Sequence, residues 1–158
     1  MVQGIIFDLY ETLISEYVPE WKPTQNVPQL LGIDEKLYRQ ERRRLEGKRY
    51  TGQIADFKTA LARICERIDL KPDPAIIEHI INERLVIKRD PFLNLDRQVL
   101  AMLTALSNRP VKIGILSNAG SEDVAAWPDS KLGDYVDAAI FSCNVGLMKP
   151  DARIYHLI

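Results

Sequence analysis

The sequence holds little of what usually reveals a protein's chemistry at first sight. It has two histidines, His79 and His156, and two cysteines, Cys65 and Cys143. No histidine has a cysteine or a second histidine close by, which excludes the ligand spacing of a zinc site. The cysteines form no CxxC pair and are too few to staple a secreted fold. With no signal-peptide pattern at the start, they predict a reducing, cytoplasmic setting. No apolar run exceeds strand length, so no membrane-spanning helix is expected. An excess of one charge is also lacking. The 21 basic and 22 acidic residues leave a net charge of −1, with no field to draw in nucleic acid or an anionic membrane. The one dense basic run, Arg42-Arg43-Arg44 extended by Lys48 and Arg49, is mixed with Glu41 and Glu46. For most of these side chains it reads as the solvated face of a helix.

What is present suits a soluble α/β protein. The 158 residues, 46% hydrophobic and 27% charged, suffice for one compact domain or a small core with an insertion. Gly4-Ile5-Ile6-Phe7 is a short apolar run, suited to a buried strand of a parallel sheet, and it ends in Asp8. Pro19, Pro23 and Pro28 keep residues 15–32 from forming one regular helix. Asp34 caps a predicted helix through about Arg49, with Leu37, Tyr38 and Leu45 as apolar contacts. Ile54 to Ile68 repeats apolar residues at helical spacing, and Asp73-Pro74 opens a third helix through about Leu85. A further helix near Leu95–Leu106 leads into a second apolar strand, Val111–Leu116, ending in Ser117-Asn118. After a helical stretch interrupted by Pro128, Ala138–Phe141 forms a third strand, and Lys149-Pro150-Asp151 opens a last helix. This order predicts an open parallel sheet with polar residues just past each strand, where such sheets place their ligands.

Three segments carry the chemistry: Phe7-Asp8-Leu9-Tyr10-Glu11-Thr12-Leu13, Ile115-Leu116-Ser117-Asn118-Ala119 and Gly146-Leu147-Met148-Lys149-Pro150-Asp151. In order and separation they resemble the nucleophile, Ser/Thr and lysine motifs of the haloacid dehalogenase-like hydrolases. The resemblance implies a Rossmann-like open α/β core formed by residues 1–14 and 93–158, and a helical cap inserted at residues 15–92. It assigns Asp8 as a nucleophile that forms an aspartyl ester. Thr12 and Ser117 become the hydroxyls that bind the nucleophile or the transferred group, Lys149 the compensating cation, and Asn118 an amide for a substrate oxygen. Each residue also has an ordinary structural role open to it. Aspartate, serine, threonine and asparagine are common in caps and turns, and lysine is common at the surface.

Two departures bear on the reaction. Phosphatases of the family carry a second aspartate two residues after the nucleophile, as acid and base for the leaving group; here that residue is Tyr10. With an unperturbed pKa near 10, a tyrosine is poorly matched to that task at neutral pH. The family's 2-haloacid dehalogenases need no such acid, because halide leaves unprotonated, and Asp8-Leu9-Tyr10 resembles their first motif. The same resemblance assigns Arg39 and Tyr155 to substrate binding, although an arginine on a helix is usually a surface residue. The second departure is Glu11, where the family has glycine; its charge would repel an anionic substrate unless the side chain turns outward.

The expected partner is therefore a small anionic molecule, with 2-haloacid dehalogenation the leading reaction and no cofactor required. A magnesium-dependent phosphatase is the alternative, in which Asp8 and the Tyr10 carbonyl would ligate the metal. A third reading, from a different class, is a truncated or non-catalytic relative that binds another protein. The family's last acidic motif lies outside the three segments. The core is accordingly expected to lack its C-terminal part and to leave the edge of the Asp8 strand open, to be covered by a partner or a second copy.

Overall fold

Three short apolar segments become the strands of one parallel sheet. In the computed structural model, which describes residues 2–16 and 26–158, these are β1 (Gly4–Phe7), β2 (Lys112–Ser117) and β3 (Ala138–Phe141), in the order β1-β2-β3. Ile6 pairs with Gly114 and Ile115 with Ala139, so the polar residues past each strand collect at one end of the sheet. Central β2 is buried from Ile113 to Ser117. The apolar character of β1 predicts burial, and here the structure differs. Among the described residues β1 pairs only with β2, and Ile6 is 52% exposed. Apolar composition reports a preference for burial, whereas burial itself needs a neighbour on each side.

The helices follow their caps. Asn26 caps the short α1 (Val27–Leu31), with Pro28 in its first turn; Pro19 and Pro23 lie outside the described residues. Asp34 caps α2 (Glu35–Tyr50), accepting from the Leu37 N–H at 2.9 Å. Tyr38 is buried, but Leu37 is exposed. The step of one residue along a helix turns it away from the buried stripe. The Ile54–Ile68 pattern becomes α3 (Phe57–Arg67), with Ile54 buried just ahead of it. Asp73 caps α4 (Pro74–Leu93), which runs beyond the end expected near Leu85 and contains Pro91. Pro91 and Phe92 are packed in the interior, and that burial offsets the backbone hydrogen bond a proline removes. Asp96 caps α5 (Arg97–Ser107). The stretch around Pro128 forms two 3₁₀ turns, Trp127–Asp129 and Lys131–Asp134, in place of the expected helix. Ser142–Val145 is a single turn, α6, and Asp151 caps a 3₁₀ turn, Ala152–His156, where an α-helix was expected.

Two apolar clusters hold these elements. One gathers Leu9, Leu13, Phe92, Leu103, Ile115 and Phe141 around the sheet. The other gathers Leu31, Tyr38, Phe57, Leu61, Ile64 and Ile80 from α1 to α4. Among the described residues no helix is long and apolar enough to cross a membrane.

Candidate active site

Parallel pairing sets the starting point: Asp8 follows β1, Ser117 closes β2, and Lys149 stands in the loop beyond β3 and α6. Asp8 is half exposed, so a small molecule can reach it. Its Oδ1 accepts from the Leu9 N–H at 2.8 Å, and its Oδ2 lies 2.9 Å from Lys149 Nζ. Lys149 Nζ also donates to the Leu116 carbonyl at 2.8 Å, which aims the ammonium between the ends of β1 and β2. Both carboxylate oxygens are thus held, and the carboxylate keeps a fixed direction.

Asn118 turns its amide onto the lysine loop. Its Oδ1 accepts from the Lys149 N–H at 2.7 Å and its Nδ2 donates to the Lys149 carbonyl at 2.9 Å. One N–H of that amide is left over for any substrate oxygen. Ser117 is buried at the end of β2, and Ala119 behind it is fixed by Ser142, whose Oγ accepts from the Ala119 N–H at 3.0 Å. Thr12 is exposed in the turn closed by the Leu13 and Ile14 N–H groups on the Leu9 carbonyl.

Glu11 adopts φ 55°, the left-handed region that glycine takes most easily. Its carboxylate accepts from the Ser15 hydroxyl at 2.8 Å and from the Glu16 N–H at 2.9 Å. The negative charge is therefore used by two donors within the exposed turn. Tyr10 points the other way. Its hydroxyl donates to the main-chain carbonyl of Asp123, and Lys88 Nζ stands 4.7 Å from its ring centroid. Burial, followed by the charges of Asp123 and Glu16, pushes the phenol far above its ordinary pKa. With its hydroxyl committed to that carbonyl and its pKa raised, it is a poor acid for a leaving group near neutral pH.

Two further sequence-predicted residues are exposed. Arg39 pairs with Glu35 on an exposed face of α2. Tyr155 is 47% exposed on the last 3₁₀ turn. Neither has a hydrogen bond or ion pair to Asp8, Ser117 or Lys149 among the described residues.

The structure also assembles a group that the sequence reading missed. Arg49 of α2 and Arg84 and Lys88 of α4 meet Glu122 and Asp123, just past the Ser117 motif, and Glu16, just past the Asp8 motif. Arg49 is 6% exposed, so the solvated-face reading of the basic run fails for its last member. A signal did exist on α4. Arg84, Lys88, Pro91 and Phe92 recur at the spacing of one helix face, which makes the two charges part of a buried stripe.

Magnesium tests the donor set. The ion takes one or two carboxylates with water and substrate oxygens. Here Asp8 is the single carboxylate, already paired with Lys149, and the Tyr10 carbonyl would be the second donor. Among the described residues no group of three His, Cys, Asp or Glu is arranged to hold a metal. Asp8 and the Tyr10 carbonyl are therefore the donors that would hold the ion, and no step is derived through it.

The fold brings an aspartate, a buried serine and a lysine together at the carboxyl ends of a parallel α/β sheet. The family model for haloacid dehalogenase-like hydrolase matches residues 2–158, and the chain belongs to that family. No curated protein sequence matches it significantly. Among solved structures, it is similar to a 2-haloacid dehalogenase from Pseudomonas syringae pv. Tomato DC3000, with 20% identity and a TM-score of 0.62. The match covers 99% of this chain and 71% of that one. A second similar structure, of a dehalogenase, has 22% identity and a TM-score of 0.60, covering 99% of this chain and 69% of that one. A third is a haloacid dehalogenase family enzyme from Bacteroides thetaiotaomicron in complex with magnesium and inorganic phosphate. It has 15% identity and a TM-score of 0.58, covering 99% of this chain and 77% of that one. These likenesses are likenesses of fold.

Proposed function

We propose that this hydrolase acts through an aspartyl ester at Asp8 on a small anionic substrate whose leaving group departs without a proton, a 2-haloacid being the nearest fit. The observation that carries this reading is the placement of Tyr10. The residue two after Asp8 is partly buried, gives its hydroxyl to the Asp123 carbonyl, and has its pKa pushed above the ordinary value. A carboxylate oxygen of Asp8 displaces halide from the carbon next to the substrate carboxylate. The new C–O bond forms as the C–halogen bond breaks. Water then adds to the Asp8 carboxyl carbon, the 2-hydroxy acid leaves, and Asp8 is regenerated with one proton released to solvent. Lys149 offsets the repulsion between Asp8 and the anionic substrate, and the hydroxyls of Thr12 and Ser117 serve as donors to it. Residues 15–92 act as a cap domain over this site, a role supported by the separate apolar cluster of α1 to α4.

The test is chloride release from 2-chloropropionate. The wild-type chain is expected to release chloride, and Asp8→Asn to lose at least about 10³-fold of that rate. In a single turnover with enzyme in excess in heavy-oxygen water, the label should enter Asp8 and leave the product unlabelled. Label in the product would overturn the ester. The family resemblance to a magnesium- and phosphate-bound enzyme supports a second reading, phosphoryl transfer from acyl phosphates, whose leaving groups also need no acid. Phosphate release from acetyl phosphate that requires added magnesium would decide for it.

A further inference from the structure

The group around Asp123 contains three cations and three carboxylates drawn from four parts of the chain. Asp123 lies 2.8 Å from Lys88 Nζ, 3.0 Å from Arg84 and 3.4 Å from Arg49. Its Oδ2 also accepts from the Gly120 N–H at 2.9 Å, which shapes the loop that follows Ser117 and Asn118. Its main-chain carbonyl accepts the Tyr10 hydroxyl. Glu122 takes Arg49 and Arg84, and Lys88 also takes Glu16. The side chains of Arg49, Glu122 and Asp123 are no more than 7% exposed.

Burying so many charges gains little stability over an apolar cluster of the same volume, because desolvation cancels most of the Coulomb attraction. What such a network does supply is register. Ion pairs satisfy one another at one arrangement of the segments that carry them, whereas apolar faces slide at small cost. The segments tied here are the nucleophile turn (Tyr10 and Glu16), the loop after β2 (Gly120–Asp123) and helices α2 and α4. The Nε atoms of Arg49 and Arg84 are buried without a hydrogen-bond partner, so each guanidinium is held by its acids and by the ring it stands over, Tyr50 for Arg49 and Phe57 for Arg84.

We propose that Asp123 is a positioning residue: held by Lys88, Arg84 and Arg49, it fixes the turn that carries Asp8 and sets the α2–α4 helices against that turn. It acts through Tyr10 and touches no reacting atom. In this arrangement every cation of the network is matched by an acid, so none is left to bind a substrate anion. That task stays with Lys149 and the polar groups beside it.

Amide hydrogen exchange on the whole chain tests this without any substrate, so its failure is separate from failure of the dehalogenase reading. The Glu11, Leu13 and Ile14 N–H groups are hydrogen-bonded within the nucleophile turn, whereas α3 carries none of the network's ion-paired side chains, although Phe57 at its start lies under Arg84. In Asp123→Asn, and in Lys88→Met, which keeps the stem and removes the charge, these three amides are expected to exchange about tenfold faster or more. Interior amides of α3 should hold their wild-type rates. Tyr10→Phe should accelerate the same three, and combining it with Lys88→Met should give less than the product of the two effects. If Asp123→Asn fails to fold, Lys88→Met decides alone. Unchanged exchange in the turn, or equal acceleration in the turn and α3, would overturn the proposal.

Discussion

A carboxylate that attacks carbon needs a free lone pair and a fixed direction, and at the scale of single residues the proposed role of Asp8 can be tested through the groups that hold it. Lys149 is the group whose loss should be felt in rate and hardly in fold, since its side chain reaches Asp8 from a partly exposed loop. Lys149→Met is expected to lower turnover by about 10²–10³-fold, read by halide release, with an unchanged unfolding midpoint. Glu11 poses the opposite case. Its left-handed backbone costs about 1 kcal/mol, while its bonds to Ser15 and Glu16 return a similar amount. Glu11→Gly removes both and should leave stability within about 1 kcal/mol of wild type. Glu11→Ala keeps the strain, loses the bonds and should be less stable than Glu11→Gly by about 1 kcal/mol in urea unfolding. A sequence shows that a glutamate stands where glycine is usual. That its carboxylate takes up the Ser15 hydroxyl and the Glu16 N–H is a matter of which neighbours the turn brings within reach.

Among the elements, the ends decide more than the middles. Gly52, just past α2, has φ 71°, and a Cβ there would lie 2.3 Å from the Cys143 carbonyl oxygen. That close approach brings the end of α2 against the turn after β3. Gly52→Ala is expected to cost about 2 kcal/mol or more, because neither backbone can give way cheaply. Gly47, inside α2 with open space around it, is the control: Gly47→Ala should stabilise by about 0.5–1 kcal/mol. The same denaturant titration reads both. Helix starts were legible in the sequence at Asp34 and Asp73, since a capping carboxylate acts on N–H groups two or three residues away. The end of α4 was not. Its last turn is kept by the burial of Pro91 and Phe92 against residues far along the chain, and local propensity alone would stop it earlier.

For the whole molecule, the buried charge group makes stability depend on acid. Burial by itself would raise the Asp123 carboxyl. Lys88, Arg84 and Arg49 more than offset this and hold it below the usual carboxylate range. A folded-state pKa below the unfolded one contributes stability that is present above the unfolded value, near 4. That contribution is lost as pH falls through the depressed folded value. Thermal unfolding of the wild type should therefore steepen its decline below about pH 4, and Asp123→Asn, less stable at neutral pH, should show a shallower acid limb. Equal limbs in the two proteins would show that Asp123 is not the group being protonated.

The sequence by itself determined the three strands, the parallel order of the sheet, the capped helix starts and the placing of Asp8, Ser117 and Lys149 at one end of that sheet. These follow from local periodicity and from the rule that parallel strands share their carboxyl ends. Only the tertiary structure decided that Arg49 leaves the solvated basic run for the interior, that Asn118 clasps the Lys149 backbone, and that Tyr10 turns onto Asp123. Each of those depends on partners at least 30 residues away in sequence, which only the folded chain brings together. A local pattern shows what a side chain prefers, and the fold determines what it meets.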